Sequence, residues 1–424
     1  MFYRLMRFFL KFTARFYFKR FFVSGKENIP QNTPVIFASN HPNSFIDAVC
    51  IGIEVEPVTT LVRSDVFKSP VARYLLGLFN LMPIYRMQEG RSNLHKNDDV
   101  FDQVNSLLTQ NKPILIFSEG VCVVEKRLRK LKKGTARLAF SSHFKDNKDI
   151  HVVPVGLNYT YPNNFQSEVI LSFGKPIRVI DYVDLYEENQ ARAVNKITAD
   201  LETSMTKEII IINSVEAEQL TETLFKIARS EETKNWRWKQ KSAQRLELEK
   251  GISEKVNHLE ENHPEKFNNL SKMALQYEKL LQQYGISNLE LANKSVKSNL
   301  ITILFLLLGW PFYLIGSFIN YIPLKYGKIV ASKIKDPVFY TSIKVGVGYF
   351  SYLLIYTITI ILTLFINNKW LWCFVIGIPL YSFMALYYRK VIVTFRRQFN
   401  YFQLTKNNKT LISDLLNLRN ELTS

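Results

Sequence analysis

Residues 34–47 read PVIFASNHPNSFID. Pro34–Ser39 is a β-rich apolar run, followed directly by a polar segment that carries a histidine and an aspartate. Four further runs of the same kind are Pro57–Val62 (PVTTLV), Pro113–Ser118 (PILIFS), Val152–Tyr159 (VVPVGLNY) and Val169–Phe173 (VILSF). Helical patterns lie near 67–80, 94–110, 134–144 and 187–210. Continuous apolar strands with helices between them predict an α/β domain over 27–215, a mostly parallel sheet covered by helices. From 216 to 298 strand signals vanish. The chain there is rich in Glu, Lys, Gln and Leu, which predicts a helical linker toward the C-terminal third.

The 424 residues carry a net charge of +18, and its distribution decides what it means. Residues 1–26 hold seven basic residues and no acid, residues 294–424 hold 15 basic and three acidic ones, and 27–293 are close to neutral. A nucleic-acid domain would concentrate cations on a polar folded surface. Here they flank apolar segments, which points to anionic lipid and against nucleic acid. Cys50, Cys122 and Cys373 are widely separated, so neither a disulfide framework nor a metal-ligand cluster is expected, and a reducing compartment fits.

The N-terminal stretch MFYRLMRFFLKFTARFYFKRFF lacks the uninterrupted apolar core of a signal peptide. On a helix, Arg4, Arg7, Lys11, Arg15 and Lys19 form one stripe and aromatics fill the rest. The expectation for 1–26 is an interfacial helix with its cations toward lipid phosphates. The competing reading is an amphipathic helix packed on the protein's own core. Toward the other end, 300–323, 345–367 and 370–388 contain no charge and are each long enough to approach or span a bilayer. Only Asn368 and Lys369 separate the second and third runs, so these should form a tight antiparallel hairpin. Arg389, Lys390, Arg396 and Arg397 mark the end of the third run as cytoplasmic, which makes 399–424 a cytoplasmic tail within an integral membrane protein. The basic flanks of the first run, Lys294 and Lys297 before it and Lys325 to Lys335 after it, then place both its ends on that same side. With Gly309-Trp310-Pro311 near its middle, 300–323 is expected to turn back as a helical hairpin. A plain third span is the alternative.

The residues suited to chemistry cluster at strand ends. His41 follows the first buried strand and Asp47 lies six residues on, in the first turns of the next helix. A carboxylate folded back onto an imidazole fixes its tautomer and stabilises the imidazolium, the base-and-orienter half of a catalytic triad. The bland reading is a surface histidine beside a helix-capping aspartate. Arg86 closes LMPIYR (81–86) and suits a phosphate. Glu119 and Gly120 end the strand Ile116-Phe117-Ser118, where Glu119 would meet polar groups of a substrate or Arg86, and Gly120 would let a substrate approach the backbone. Lys126, Arg127, Arg129, Lys130, Lys132 and Lys133 precede a helix that Thr135 would cap. By default such a run is a solvated face. The helix N-terminus after the run favours an anion, so the run could instead face lipid headgroups or a phosphorylated carrier, and Lys133 is taken as a substrate-binding candidate.

Taken in order, Asn40-His41…Asp47, the block ending at Arg86, Phe117-Ser118-Glu119-Gly120 and Val153-Pro154-Val155 resemble the four motifs of the glycerolipid acyltransferase family of glycerol-3-phosphate and lysophosphatidate acyltransferases. The likeness spans about residues 20–180, and LSFGKPI (171–177) resembles the closing strand of these domains. It implies that His41 is the general base and Asp47 its partner. It also implies that Arg86, Glu119 and Gly120 bind the acceptor's glycerol phosphate and that Pro154 shapes the pocket; Asn40 and Lys133 are further substrate-binding candidates beside what the resemblance implies. Five residues separate His41 from Asp47 where the usual motif has four, a form similar to a subgroup that includes fungal-type glycerol-3-phosphate acyltransferases. Ser118 and Val121 stand where the third motif usually has Pro and Thr.

The expected function is acyl transfer in phospholipid biosynthesis, from acyl-CoA or acyl-carrier protein to glycerol 3-phosphate or a lysophospholipid. No metal and no bound cofactor are expected. The catalytic domain would sit at the cytoplasmic face on anionic lipids. The alternative of another class is a non-catalytic lipid-binding scaffold that retains the fold; a dyad whose members point apart would favour it. A transporter is disfavoured because the apolar runs lack ionisable residues.

Overall fold

The computed structural model describes residues 2–55, 57–85, 95–234, 242–293, 300–334, 336–366 and 368–423. Two compact units emerge. The first comprises Met1–Ile211, Gln240–Lys250 and Asp336–Ser342; the second takes the remaining segments.

The first unit is built on an eight-stranded sheet. In chain order it contains α1 (Phe2–Tyr17), β1 (Arg20–Ser24), β2 (Val35–Ser39), α2 (Phe45–Gly52), β3 (Thr59–Arg63), α3 (Pro70–Leu78), β4 (Leu81–Ile84) and α4 (Lys96–Thr109). Then follow β5 (Ile114–Phe117), α5 (Gly134–Asp146), β6 (His151–Tyr159), β7 (Glu168–Phe173), β8 (Ile177–Arg178), α6 (Val183–Glu188) and α7 (Gln190–Glu208). The strand order is β1-β7-β6-β2-β5-β3-β4, with β8 against β6. β7 and β8 run antiparallel to β6, and every other pairing is parallel. The mostly parallel α/β expectation is therefore met, and all five strand runs read from the sequence are strands. The reason is visible in β2: all five residues are buried, as a central strand covered on both faces requires. Its neighbours β5 and β6 begin beside it in parallel, so the carboxyl ends of all three converge.

The N-terminal segment departs from expectation. The helix stops at Tyr17, and Arg20–Ser24 is a strand, registered from Arg20↔Glu168 to Ser24↔Ser172. Lys19 and Arg20 lie 3.9 and 3.7 Å from the Glu168 carboxylate, a pairing that a one-helix reading conceals. The stripe of cations does not all face outward either. The Arg7 guanidinium donates to the Gly52, Ile53 and Val55 carbonyls at the end of α2, and Arg15 pairs with Glu54 at 2.7 Å. Those orphan carbonyls are what a helix C-terminus offers a cation. Ala14, Tyr17 and Phe18 are buried, whereas Phe8, Phe9 and Phe12 are exposed. The helix thus docks on its own domain through cations and turns phenylalanines outward.

The second unit holds α8 (Val215–Lys234), much of α9 (Ser242–Asn262), α10 (Pro264–Tyr284), α11 (Asn288–Asn293), α12 (Leu300–Ser332), α13 (Tyr340–Ile366), α14 (Lys369–Asn407) and α15 (Lys409–Thr423). The region from 216 is not a bare linker, and 399–424 is not a free tail. Ala217, Leu220, Ile227, Phe267, Tyr277 and Leu281 share one core with Tyr401, Ile412, Leu415 and Leu422. The polar composition hid this because each helix buries only one stripe.

Three helices, at 301–332, 337–366 and 370–407, are long and apolar enough to cross a membrane. The expected hairpin within 300–323 is corrected: α12 is one helix that continues through Pro311 and Pro323. Proline removes one hydrogen bond but does not end a helix that neighbouring helices support. α12 packs on α14 closely enough that a Cβ on Gly316 would lie 1.9 Å from the Tyr381 carbonyl oxygen. Small residues permit such approach where lipid supplies no hydrophobic drive. Asn320, buried among these helices, donates to the Ser382 carbonyl at 3.0 Å and accepts from the Tyr352 hydroxyl. The turn before α14 is closed by Asn368, whose side chain accepts from the Trp370 N–H at 2.9 Å.

Candidate active site

The site forms where β2, β5 and β6 end, the side of an α/β sheet where ligands bind. β2 stops at Ser39, and the chain turns through Asn40–Ser44 into α2. Ser44 has φ 49°, a conformation that non-glycine residues adopt at a cost and that marks an over-determined loop. This turn brings Asp47, in the first turn of α2, back beneath His41. Nδ1 of His41 lies 2.9 Å from Oδ2 of Asp47, which is fully buried.

Three donors converge on that carboxylate. Oδ2 also accepts the Asn43 N–H at 2.7 Å, and Oδ1 accepts the Tyr159 hydroxyl at 2.7 Å. Burial, and the Asp47 charge beside it, push the Tyr159 phenol well up, so it remains a donor. With Nδ1–H given to Asp47, the tautomer leaves Nε2 as an acceptor, and no described residue bonds to it. The ring stacks on Phe117, with centroids 3.8 Å apart and planes 15° apart, which fixes its orientation. The backbone of His41 is held as well: its N–H donates to Glu119 Oε1 at 3.0 Å, and its carbonyl accepts the Val123 N–H at 3.2 Å.

Glu119 is buried, and its second oxygen accepts the Arg129 N–H at 3.3 Å. Burial raises its carboxyl above the usual range against the pull of those two N–H groups. It therefore braces the His41 loop against the segment that follows β5. Gly120 lies beside it at φ 69° and donates to the Phe117 carbonyl at 3.1 Å, a turn that favours glycine. Asn40 is committed to β6: its side chain accepts the Leu157 N–H at 2.8 Å and donates to the Leu157 carbonyl at 3.0 Å. Lys133 is exposed and stands immediately before α5. Thr135 does not cap that helix; it is buried in the first turn, where its hydroxyl meets that of Ser118 at 2.9 Å. A proline at 118 could not make this bond. Pro154 pairs with Ala38 in mid-sheet, and its carbonyl accepts the Gly174 N–H at 2.9 Å. Arg86 lies outside the described residues.

Sequence reasoning did not single out Tyr159, Asn43, Phe117 or Cys122. The available signal for Tyr159 was a polar-tipped aromatic at the end of a strand, but its partner depends on β6 lying next to β2. Ligand atoms of His41, Asp47 and Cys122 lie within 4.8 Å of one another, a spacing a metal ion could bridge. The donors are already engaged: Cys122 Sγ accepts the Ser44 N–H at 3.0 Å, and Asp47 carries its three donors. Burial and the nearby Asp47 push the Cys122 thiol up.

Residues 20–158, which include the whole His41 site apart from Tyr159, match the acyltransferase family model. The chain is 26% identical over 196 residues to glycerol-3-phosphate O-acyltransferase 2 of Saccharomyces cerevisiae, which covers 43% of this chain and 25% of that protein. It is 30% identical over 146 residues to a 1-acyl-sn-glycerol-3-phosphate acyltransferase of Chlamydomonas reinhardtii, which covers 34% of this chain and 40% of that one. The chain thus spans less than half the length of either relative. Among solved structures, the lysophosphatidate acyltransferase PlsC of Thermotoga maritima aligns with a TM-score of 0.35 and 18% identity, over 47% of this chain and 78% of that one. Residues 20–158 are thus an acyltransferase domain, similar to parts of a glycerol-3-phosphate and a 1-acyl-sn-glycerol-3-phosphate acyltransferase.

Proposed function

We propose that the protein is a membrane-bound acyltransferase that moves a fatty acyl group from a thioester to a hydroxyl of glycerol 3-phosphate or a lysophospholipid. The observation that carries this is the 2.9 Å His41–Asp47 pair, with the far ring nitrogen left as an acceptor. Nε2 takes the proton from the acceptor hydroxyl as its oxygen attacks the thioester carbonyl. Asp47 stabilises the imidazolium that results, and the tetrahedral adduct collapses with loss of the thiolate, which receives the proton from Nε2. A dyad that meets in this way supports catalysis over the scaffold reading. Acceptor phosphate falls to Arg86 and to exposed Lys133. Glu119, Gly120 and Asn40 contribute through the backbone they hold.

The donor is acyl-CoA or acyl-carrier protein, and no resident cofactor is required. The exposed phenylalanines of α1 meet anionic lipid, with Lys11 beside them. We place the domain on the cytoplasmic face. Supporting this, the basic stretch Lys325, Lys328 and Lys333 runs into residues 336–342, which are part of the sheet unit.

The test is transfer of a labelled acyl group by the full-length protein, from each donor type, to glycerol 3-phosphate, lysophosphatidate and other lysolipids. Transfer that His41→Ala abolishes is expected. Transfer from neither donor to any of these acceptors, or full activity of His41→Ala, overturns the proposal.

A further inference from the structure

The segment Asp336–Ser342, which follows α12 and includes the first residues of α13, is part of the sheet unit. It is held in shape locally: the Asp336 side chain accepts the Val338 N–H at 3.1 Å and caps the short turn Pro337–Phe339. Val338 and Thr341 are buried, and the Phe339 ring lies 6.1 Å from that of Phe45, the first residue of α2.

The Thr341 hydroxyl lies 3.0 Å from the Pro162 carbonyl oxygen and 2.7 Å from the Asn163 side-chain oxygen, and shares its one proton between them. The same Pro162 carbonyl accepts from the Asn43 amide at 3.2 Å. The backbone N–H of Asn43 is one of the three donors on Asp47. A continuous series of hydrogen bonds therefore runs from Thr341 through Pro162 and Asn43 to Asp47 and His41. A carbonyl with two donors is more tightly placed than one with a single donor, and small displacements of a base cost rate.

We infer that Asp336–Ser342 is a positioning element of the active site, with Thr341 fixing Pro162 and thereby the Asn43 hold on the His41–Asp47 pair. This rests on the reading of His41 as general base. Thr341 does not touch substrate; it acts through Asn43. Its loss should lower turnover without changing substrate binding.

The experiment uses full-length protein in detergent or vesicles with the acyl donor and acceptor that the wild type accepts. Thr341→Val keeps the shape and removes the donor. It should lower kcat about three- to tenfold, the range that one lost hydrogen bond spans, with KM for both substrates unchanged. Thr341→Ser should retain the wild-type kcat. Asn43→Ala should lower kcat on its own, and the Thr341→Val/Asn43→Ala double variant should lose less than the product of the two single losses. If Thr341→Val does not fold, as judged by thermal unfolding, Phe339→Leu loosens the same segment and should show the same fall in kcat at constant KM. A wild-type kcat in Thr341→Val, equal losses in the Val and Ser variants, fully multiplicative losses, or, where Phe339→Leu is used, a wild-type kcat in it overturns the inference while the functional proposal stands. Absence of any transfer by the wild type overturns both.

Discussion

Of the buried polar clusters among the described residues, two, one taken from each unit, are finished differently. In the sheet unit, Asp47 receives His41, Asn43 and Tyr159, and the cluster ends in a ring nitrogen without a described partner. In the helical unit, the Asn320 amide is closed off at both ends, donating to the Ser382 backbone carbonyl and accepting from the Tyr352 hydroxyl. A closed cluster ties helices together where unsatisfied polar groups are costly. An open one leaves an acceptor that no described residue engages, as the proposed general base requires. The chemistry of the molecule is read from which cluster is left open, rather than from how many polar groups each one buries.

The most forceful way to break the comparison is at the open cluster. His41→Ala or Asp47→Asn should lower acyl transfer by about 10²- to 10⁴-fold in a labelled-acyl assay, with little change in the unfolding temperature. A closed cluster should respond the other way, through stability. The contact that lets it close comes next in size. Gly316→Val drives a side chain into the Tyr381 carbonyl and should cost about 2–3 kcal/mol in unfolding of the helical unit. Gly346→Ala, where an added Cβ meets nothing within 4 Å, should be neutral in the same measurement.

Single hydrogen bonds sharpen the contrast further. Asn320→Leu should cost about 1 kcal/mol of stability, read by thermal unfolding. Tyr159→Phe, which removes one of the three Asp47 donors, should cost a similar amount, about 1 kcal/mol, and also slow turnover several-fold. Equal effects of both on turnover would erase the distinction.

The smallest effect lies in a charged cluster that solvent partly reaches. Burial alone would raise the Glu54 carboxyl, but Lys26 and Arg15 beside it hold it below its usual value. A carboxyl lowered on folding adds stability above its unfolded pKa and loses it as the pH falls through the folded value. Wild type should therefore exceed Glu54→Gln by about 0.5 kcal/mol at pH 7, since the side chains of both cations remain 45% exposed, and the gap should shrink in acid. Unfolding temperatures at both pH values check this.

Much of this was legible in the chain. β2, β5 and β6 announce themselves because a central parallel strand needs apolar residues on both faces. The spacing of His41 and Asp47 across a strand-to-helix turn foretold their meeting. Pairings between distant segments were not legible. Nothing local distinguishes Arg20–Ser24 from a continuing aromatic helix until β7 offers it an edge, and Tyr159 reaches Asp47 only through the sheet order. The cations of α1 looked lipid-facing because the carbonyls that receive Arg7 lie 45 and more residues away. Pro311 looked like a break because the sequence does not display the helix packed against it.

The sheet unit is assembled from three stretches of chain, the last of them Asp336–Ser342. During synthesis the first 211 residues can form the sheet while the remainder is still being made, since domains fold as they emerge. Thr341 arrives only after the whole of α12 has been translated. The wall behind Asn43 is thus the last part of the site to be put in place, and a nascent chain that has not yet produced its first apolar helix carries the dyad without that support.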